Sequence, residues 1–381
     1  MGRKIRVGVL FGGQSSEHEV SLASARSVMA AMDPDKYEVV PIGITKAGAW
    51  LTSGDPMAQL RAGAVDSTST ALLAPDLSGQ GHAAIVQINP GESGAFSATG
   101  GRALDVIFPV LHGPYGEDGT VQGMLELASI PYVGAGVLGS AVGMDKGVMK
   151  DVFRASGLPV APYVVALRHR WEREPQTVQA EVEKALGYPM FAKPSNMGSS
   201  VGVSKIHGPE EFAAAMDTAA RYDRRIVIEK GLDAREMECA VLGNDRPEAS
   251  VVGEIVPGNE FYDYRAKYVD DNSDLIIPAE IPKRVSEEIR RISVEAFRAV
   301  DAAGMARVDF FVERDLSAVW LNELNTIPGF TRISMYPKLW QASGVSYPEL
   351  IDRLIELALE RHEDRRRNRQ ALDEVGSDLN V

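Results

Sequence analysis

Short apolar runs, punctuated by glycine and proline turns, set the rhythm of this chain. Ile5–Phe11 is a β-branched run closed by Gly12-Gly13 and predicts a buried strand. Ser16-Glu17-His18-Glu19 has the Ser-x-x-Glu form of a capping box, and Leu22, Ala25, Met29 and Met32 follow at helical spacing. Tyr37–Ile44 is a second strand, so a strand–helix–strand unit opens a parallel sheet. Residues from Ser53 to Gly101 are rich in Gly, Ser, Thr, Ala and Pro and predict an edge insertion with one strand, Ala83–Ile88. Leu104–Val110 returns to the buried pattern before a glycine-rich turn, His112 to Gly119.

From Met144 the elements alternate again. Lys146–Ala155, Val178–Leu186 and Glu210–Ala219 predict helices; Met190–Lys193, Val201–Ile206 and Arg225–Lys230 predict strands. Beyond Gly231, Glu236–Leu242 and Ser250–Val256 read as antiparallel strands, and Glu260–Asp274 as a polar, aromatic loop. Glu287–Ala303 is an amphipathic helix, and Ala306–Glu313 with Ala318–Asn325 is a strand pair. Ser346 to Glu349 caps a last helix with Leu350, Leu354 and Leu357 on one face. The expected class is α/β with three units: an N-terminal parallel unit over 1–143 carrying the 53–101 insertion, a central unit over 144–230, and a C-terminal unit over 231–360. A solvated polar tail is expected over 361–381.

Composition narrows the function classes. At 381 residues the chain exceeds one average domain, and its net charge of -13 argues against nucleic-acid binding through a general basic face. The lone cysteine, Cys239, excludes an internal disulfide; its place in a predicted strand makes it a small buried hydrophobe, and a reducing compartment follows. The N-terminus leads straight into a strand rather than a signal peptide, and no run approaches the roughly 18 apolar residues of a membrane span. A cytoplasmic protein is expected.

Three constellations carry candidate chemistry. Lys193 to Gly202 runs from a strand into a Ser/Gly loop; small residues, hydroxyls and a lysine suit polyphosphate, although an ordinary hairpin has the same composition. It is not a Walker A loop, since Gly-Lys-Ser/Thr is absent. Strand alternation puts Arg307 with Asp309, and Glu323 with Asn325, on one face. Such hard oxygen ligands suit Mg²⁺ on nucleotide phosphates, with Arg307 neutralising phosphoryl charge; a solvated hairpin face is the alternative. Ile226 to Lys230 ends a strand whose backbone could pair with an adenine edge, with the Glu236 carboxylate placed for ribose hydroxyls.

Taken together and in order, these stretches resemble the ATP-grasp ligases, and among them the D-alanine–D-alanine ligase family. The resemblance rests on Gly12-Gly13 with Ser15 to Ser21, Leu111-His112-Gly113 with Gly116 to Gly119, and Met144-Asp145-Lys146. It continues through Lys193 to Gly202, Phe261 to Tyr264 with Ala266-Lys267-Tyr268, and Asn322 to Gly329, so that it covers residues 4–350. It implies an ATP-grasp fold in which the central and C-terminal units sandwich ATP. It implies a reaction in which one D-alanine carboxylate attacks the γ-phosphate and a second D-alanine amine attacks the acyl phosphate. By the matching positions, Lys146, Lys193, Ser199, Glu229, Lys230, Glu236, Lys267, Asn322 and Glu323 would contact the nucleotide. Asp309, Glu323 and Asn325 would hold two Mg²⁺ ions, with Mn²⁺ as a substitute. Glu17 and His112 would meet the first D-alanine, Arg307 and Gly329 an oxyanion, and Ser334 and Met335 the second carboxylate. Ser199 and Tyr268 would link to Glu17 as the 261–274 loop closes, and Tyr268 favours an amine nucleophile. The resemblance also implies a homodimer that feeds peptidoglycan synthesis. Other readings remain: a ligase forming D-alanine–D-lactate or D-alanine–D-serine, an NAD-dependent dehydrogenase (no G-x-G-x-x-G follows the first strand), or a non-catalytic nucleotide-binding module.

Overall fold

The structure, a computed structural model, describes residues 3–63, 70–74, 84–90, 96–256 and 274–368. Among these residues the strands pair into four sheets. The first has the order Trp50–Leu51, Tyr37–Ile44, Ile5–Gly12, Val106–Val110, and Ile5–Gly12 runs parallel to both long neighbours. Its strands read as continuous apolar runs because both faces are covered. Val7, Val9 and Phe11 pack on Leu22, Ala25 and Val28 of the His18–Ala31 helix; Leu10 and Ile42 pack on Leu111, Val121 and Leu125.

Two local expectations change here. The first helix begins at His18 with Glu17 as its N-cap and no side-chain cap bond. A turn in which the His18 amide donates to the Ser15 carbonyl comes first, and the Ser15 hydroxyl accepts from the Glu17 amide, so the Ser16–Glu19 capping box does not form. The 53–101 insertion holds a three-stranded antiparallel sheet, Thr70–Ala74, Ala84–Pro90 and Phe96–Ala103, where one strand was expected. Residues 96–103 read Phe-Ser-Ala-Thr-Gly-Gly-Arg-Ala and carry no apolar alternation, so pairing with a neighbour makes the strand. Ala71 and Ile85 seat this sheet on the apolar layer beside Leu10 and Ile42.

The central sheet, in the order Ser204–Ile206, Met190–Pro194, Arg225–Lys230, Tyr163–Leu167, is antiparallel throughout. Helices Pro175–Leu186 and Pro209–Ala220 cover one face through Val178, Val182, Phe212 and Met216. The fourth sheet runs Asp274–Ile276, Glu248–Val256, Ala234–Gly243, Gly304–Glu313, Val319–Asn325. Its apolar face presents Met237, Cys239, Val308 and Phe310 to Ile289, Ile292, Ala296 and Phe297 of helix Lys283–Ala299. Met149 and Phe153 of helix Lys146–Ala155 join the same core. Cys239 is buried there, as its strand position predicts.

The last helix, Tyr347–Arg366, is capped by Ser346, whose hydroxyl accepts the Glu349 amide. It outruns the expected start of the polar tail at residue 361. The Arg361 guanidinium lies 4.3 Å from the Tyr132 ring centroid and donates to the Tyr132 and Gly134 carbonyls. A charged residue that reads as solvated in sequence therefore staples the helix end to the first sheet's far side. Replacing Arg361 by Ala should cost about 2 kcal/mol of unfolding free energy, because it removes a stacked cation and leaves two carbonyls without their donor. Replacing Arg367, whose exposed pair with Asp364 spans 2.8 Å, should cost under about 0.5 kcal/mol. Urea unfolding of the two variants checks this contrast; equal costs would refute the staple.

Candidate active site

The polar face of the fourth sheet follows from register. Glu238 lies opposite Asp309, which lies opposite Glu323, and Arg307 lies opposite Asn325. Strand alternation sends these side chains to the face away from Val308 and Phe310. A bulge after Asp309 shifts the pairing so that Phe310 meets Leu321, leaving Asn322 as the extra residue. Arg307 grips Asp309 with two parallel bonds, Nε to Oδ1 and Nη2 to Oδ2, both 2.7 Å. Its Nε also lies 3.0 Å from Glu238 Oε2, and Asn325 Nδ2 donates to Asp309 Oδ2 at 3.0 Å. Burial disfavours the Arg307 charge, but Asp309 and Glu238 outweigh it and hold the guanidinium firmly protonated.

The facing wall comes from the central sheet. Asp145 caps helix Lys146–Ala155 by accepting the Val148 amide at 3.0 Å, and it accepts the buried Ser195 hydroxyl at 2.5 Å. This clasp fixes the start of the helix under the 194–203 loop. Lys146 Nζ then donates to the Met197 carbonyl at 2.8 Å and lies 3.6 Å from Glu323 Oε2 across the gap. Lys193 Nζ donates to Glu229 Oε2 at 2.7 Å. Burial opposes ionisation of Glu229, yet Lys150 and Lys193 hold its carboxyl down at about 2. Lys230 is exposed at the strand end, and Glu236 lies on the fourth sheet within electrostatic range of Lys193.

The N-terminal unit closes the third side. The buried Glu17 carboxylate accepts a short hydrogen bond from the Ser199 hydroxyl. Ser199 and Ser200 sit at positive φ, 48° and 58°, a strained conformation for serine that orients the loop tip. A Cβ on Gly198 would come within 2.5 Å of Glu17 Oε2, so glycine here admits the carboxylate. Contacts thus link Glu17 to Ser199, Lys146 to Glu323, and Arg307 and Asn325 to Asp309, with Lys193 on Glu229 and within electrostatic range of Glu323.

Comparison with known proteins yields the same picture. The sequence model described as "D-ala D-ala ligase N-terminus" matches residues 6–135, and "D-ala D-ala ligase C-terminus" matches 152–356. The chain is 49% identical over 364 residues to a D-alanine–D-alanine ligase of Thermoanaerobacter sp. (strain X514), covering 95% of this chain and 98% of that one. It is 51% identical over 374 residues to the Ruminiclostridium cellulolyticum ligase of the same name, covering 96% and 98%. The chain belongs to the D-alanine–D-alanine ligase family. Among solved structures, the D-alanine–D-alanine ligase of Coxiella burnetii aligns with a TM-score of 0.79 at 36% identity, covering 96% of this chain and 97% of that one. The VanG D-Ala:D-Ser ligase of Enterococcus faecalis aligns with a TM-score of 0.80 at 34% identity, covering 93% and 100%.

In this member of the D-alanine–D-alanine ligase family, His112 is held from both sides. It is 4% exposed; Nδ1 lies 3.0 Å from the Ile327 carbonyl and Nε2 lies 3.2 Å from Ser24 Oγ. The carbonyl can only accept, so Nδ1 carries the proton and the Ser24 hydroxyl donates to Nε2. Ser24 Oγ also accepts the Phe330 amide at 3.3 Å. Burial lowers the His112 pKa although Glu17 draws it upward, so the ring is neutral. Gly329 lies in this tethered loop, and Ser334 Oγ accepts the Thr331 amide at 3.1 Å. The Met335 side chain is core, and its amide lies in the first turn of helix Met335–Ala342. Lys267 and Tyr268 lie outside the described residues.

Three carboxylate or ammonium groups in or behind the cleft carry no role in the sequence reading: Glu117, Lys150 and Glu238. Glu117 sits in the matched glycine-rich turn, but only the fold shows its two backbone donors. It accepts the Gly113 amide at 2.7 Å and the Ile327 amide at 3.0 Å. Burial, followed by the Glu17 charge, pushes its carboxyl from the ordinary 4.5 up to about 8. The folded protein therefore holds a proton between pH 4.5 and about 8 that the unfolded chain lacks. That contribution to stability is full below the lower value and lost as pH rises through the upper one. The stability difference between the parent and Glu117→Gln should shrink as pH climbs across this window, measured by urea unfolding. A pH-independent difference would contradict the shift.

Proposed function

We propose that this protein joins two D-alanines to D-alanyl-D-alanine at the expense of ATP, through a D-alanyl phosphate, for peptidoglycan precursor synthesis. The reading is supported by the contacts Glu17–Ser199, Lys146–Glu323, Lys193–Glu229 and Arg307–Asp309–Asn325, which link side chains from distant parts of the chain. ATP lies between the central and C-terminal units, which this reading bounds at residues 144–230 and 231–360. In this reading Glu229 and Lys230 sit at the adenine, Glu236 takes the ribose hydroxyls, and Lys146, Lys193 and the Ser199–Ser200 tip take the phosphates. Lys267 and Asn322 complete the nucleotide contacts.

The donor set fits magnesium. Among the described residues no three His, Cys, Asp or Glu side chains cluster as a closed metal cage. Two carboxylates and an amide oxygen leave coordination positions for phosphate and water, which Mg²⁺ retains. Asp309 Oδ2 already accepts from both Arg307 and Asn325, while Oδ1 accepts from Arg307 Nε. Asp309, Glu323 and Asn325 would hold the two ions, Mg²⁺ or Mn²⁺, which supply charge compensation as the phosphoryl group moves.

The chain's own groups do the remainder. Glu17, at a helix N-terminus and oriented by Ser199, receives the ammonium of the first D-alanine, whose carboxylate oxygen attacks the γ-phosphorus and expels ADP. His112, fixed by Ser24 and Ile327, positions the loop beside that substrate's carboxylate. The second amine, bound through its carboxylate at the Ser334–Met335 helix start, loses a proton and attacks the acyl carbon. Arg307 and the Gly329 amide receive the negative oxygen, and phosphate leaves as the carbonyl reforms. Tyr268 closes over Glu17 and Ser199, excluding water from an intermediate that water would destroy. The reading also carries a homodimer. A D-alanine–D-serine product is the second reading, favoured by the likeness to the VanG ligase.

With Mg-ATP and D-alanine alone, the purified protein should release ADP and form a product of dipeptide mass; added D-serine or D-lactate should enter the product poorly. No D-alanine-dependent ADP would sink the main reading, and preferential D-serine incorporation would promote the second. Glu323→Gln should lower kcat at least about a hundredfold, the scale of several kcal/mol of metal-borne charge stabilisation. Near-parent turnover would remove Glu323 from the metal set.

A further inference from the structure

Lys150 is among the largest fully buried side chains in the described structure, and the reaction above gives it no role. It lies one turn beyond Lys146 on helix Lys146–Ala155, with its side chain 1% exposed. Its ammonium donates to the Asn322 carbonyl at 2.9 Å and forms an ion pair with Glu229 Oε1 at 3.1 Å. The other oxygen of the same carboxylate takes Lys193 at 2.7 Å. Glu229 is 4% exposed, so Lys150, Glu229 and Lys193 form a row of cation, anion and cation beneath the cleft.

A buried carboxylate needs a cation, and losing its partner is far costlier than never having been there. If Glu229 had Lys193 alone, the lysine could turn to a phosphate only by leaving a buried anion behind. We propose that Lys150 is a positioning residue: it keeps Glu229 charge-matched, so that the ammonium of Lys193 can turn to the phosphates of the nucleotide. The Asn322 carbonyl bond fixes the Lys150 ammonium in place and ties it to the strand bearing Glu323. Burial pulls the Lys150 pKa below its ordinary value; Glu229 opposes this and Lys193 adds to it.

This inference rests on the ATP reading, and the test separates the two. Calorimetric titration would compare ATP, ADP and adenosine, each with Mg²⁺, on the parent, Lys150→Met, Lys150→Arg and Lys150→Met/Glu229→Gln. Hydrogen bonds to charged groups set the scale at about tenfold or more. Lys150→Met should weaken ATP and ADP by that factor while adenosine changes by less than about twofold, and KM for D-alanine should hold. Lys150→Arg should retain most of the affinity. The double variant, which removes the unmatched charge, should recover it, and it stays informative if Lys150→Met fails to fold. Parent protein that binds no ATP would overturn the ATP reading itself. Equal ATP affinity in parent and Lys150→Met would overturn only the role of Lys150. So would an equal loss for adenosine and ATP, or a folded double variant that still binds ATP weakly.

Discussion

Charge matching among buried and half-buried side chains is the constraint on which the site depends. Glu238, Asp309 and Glu323 share one face of the fourth sheet and Glu229 lies on the central sheet, and each has an arginine or lysine as ion-pair partner. Arg307 spans Asp309 and Glu238, Lys193 spans to Glu229, and Lys146 reaches Glu323. An unpaired member of such a set would cost several kcal/mol, so sheet register, helix placement and side-chain pairing are fixed together. The Arg307–Asp309 grip is bidentate, with both bonds at 2.7 Å. It also explains the apolar reverse of the strand: Val308 and Phe310 anchor in the core, so that the alternate residues have one direction left to point.

The same constraint joins units that are far apart in sequence. Glu17 meets Ser199 across 182 positions, and Glu117 meets Ile327 across 210. Ser24, His112 and Glu117 together hold the amides and a carbonyl of the 327–330 loop, so the N-terminal unit sets the position of a loop that the C-terminal strand delivers. A site assembled in this way costs ordering entropy at every junction. The left-handed serines at 199 and 200 are one place where that cost is visible.

Much of this was legible in the sequence, for physical reasons that differ by element. The strand pair ending at Glu313 and Asn325 was readable because period-two alternation separates Phe310 from Asp309 whatever the partner. Helix Lys146–Ala155 was readable to the residue because Asp145 caps it and Gly157-Leu158-Pro159 stops it. The insertion's outer strands were not, since their pairing is supplied by a neighbour and not by their own pattern. Arg361 was misread as solvent-facing because a cation stacked on Tyr132 has the same local sequence as one in water. Among candidate site residues, the sequence names motif positions and not the partners that hold them. Nothing within reach of Glu229 in sequence announces Lys150, and Ser24 looks like any small residue on a helix.

The distinction between a residue that touches substrate and one that keeps another residue available follows from the same physics. Glu229 was expected at the adenine, yet its carboxylate faces two lysines and its backbone lies inside the sheet between Tyr163 and Phe191. A carboxylate in that place lowers the cost of burying cations before nucleotide arrives, but it also competes with phosphate for Lys193. A second cation resolves the conflict, because the carboxylate then never faces the choice between losing its partner and blocking the ligand. The row sets two lysines against one carboxylate, in a protein whose overall charge is -13. Local arrangement, not net composition, thus decides what this acidic chain can bind.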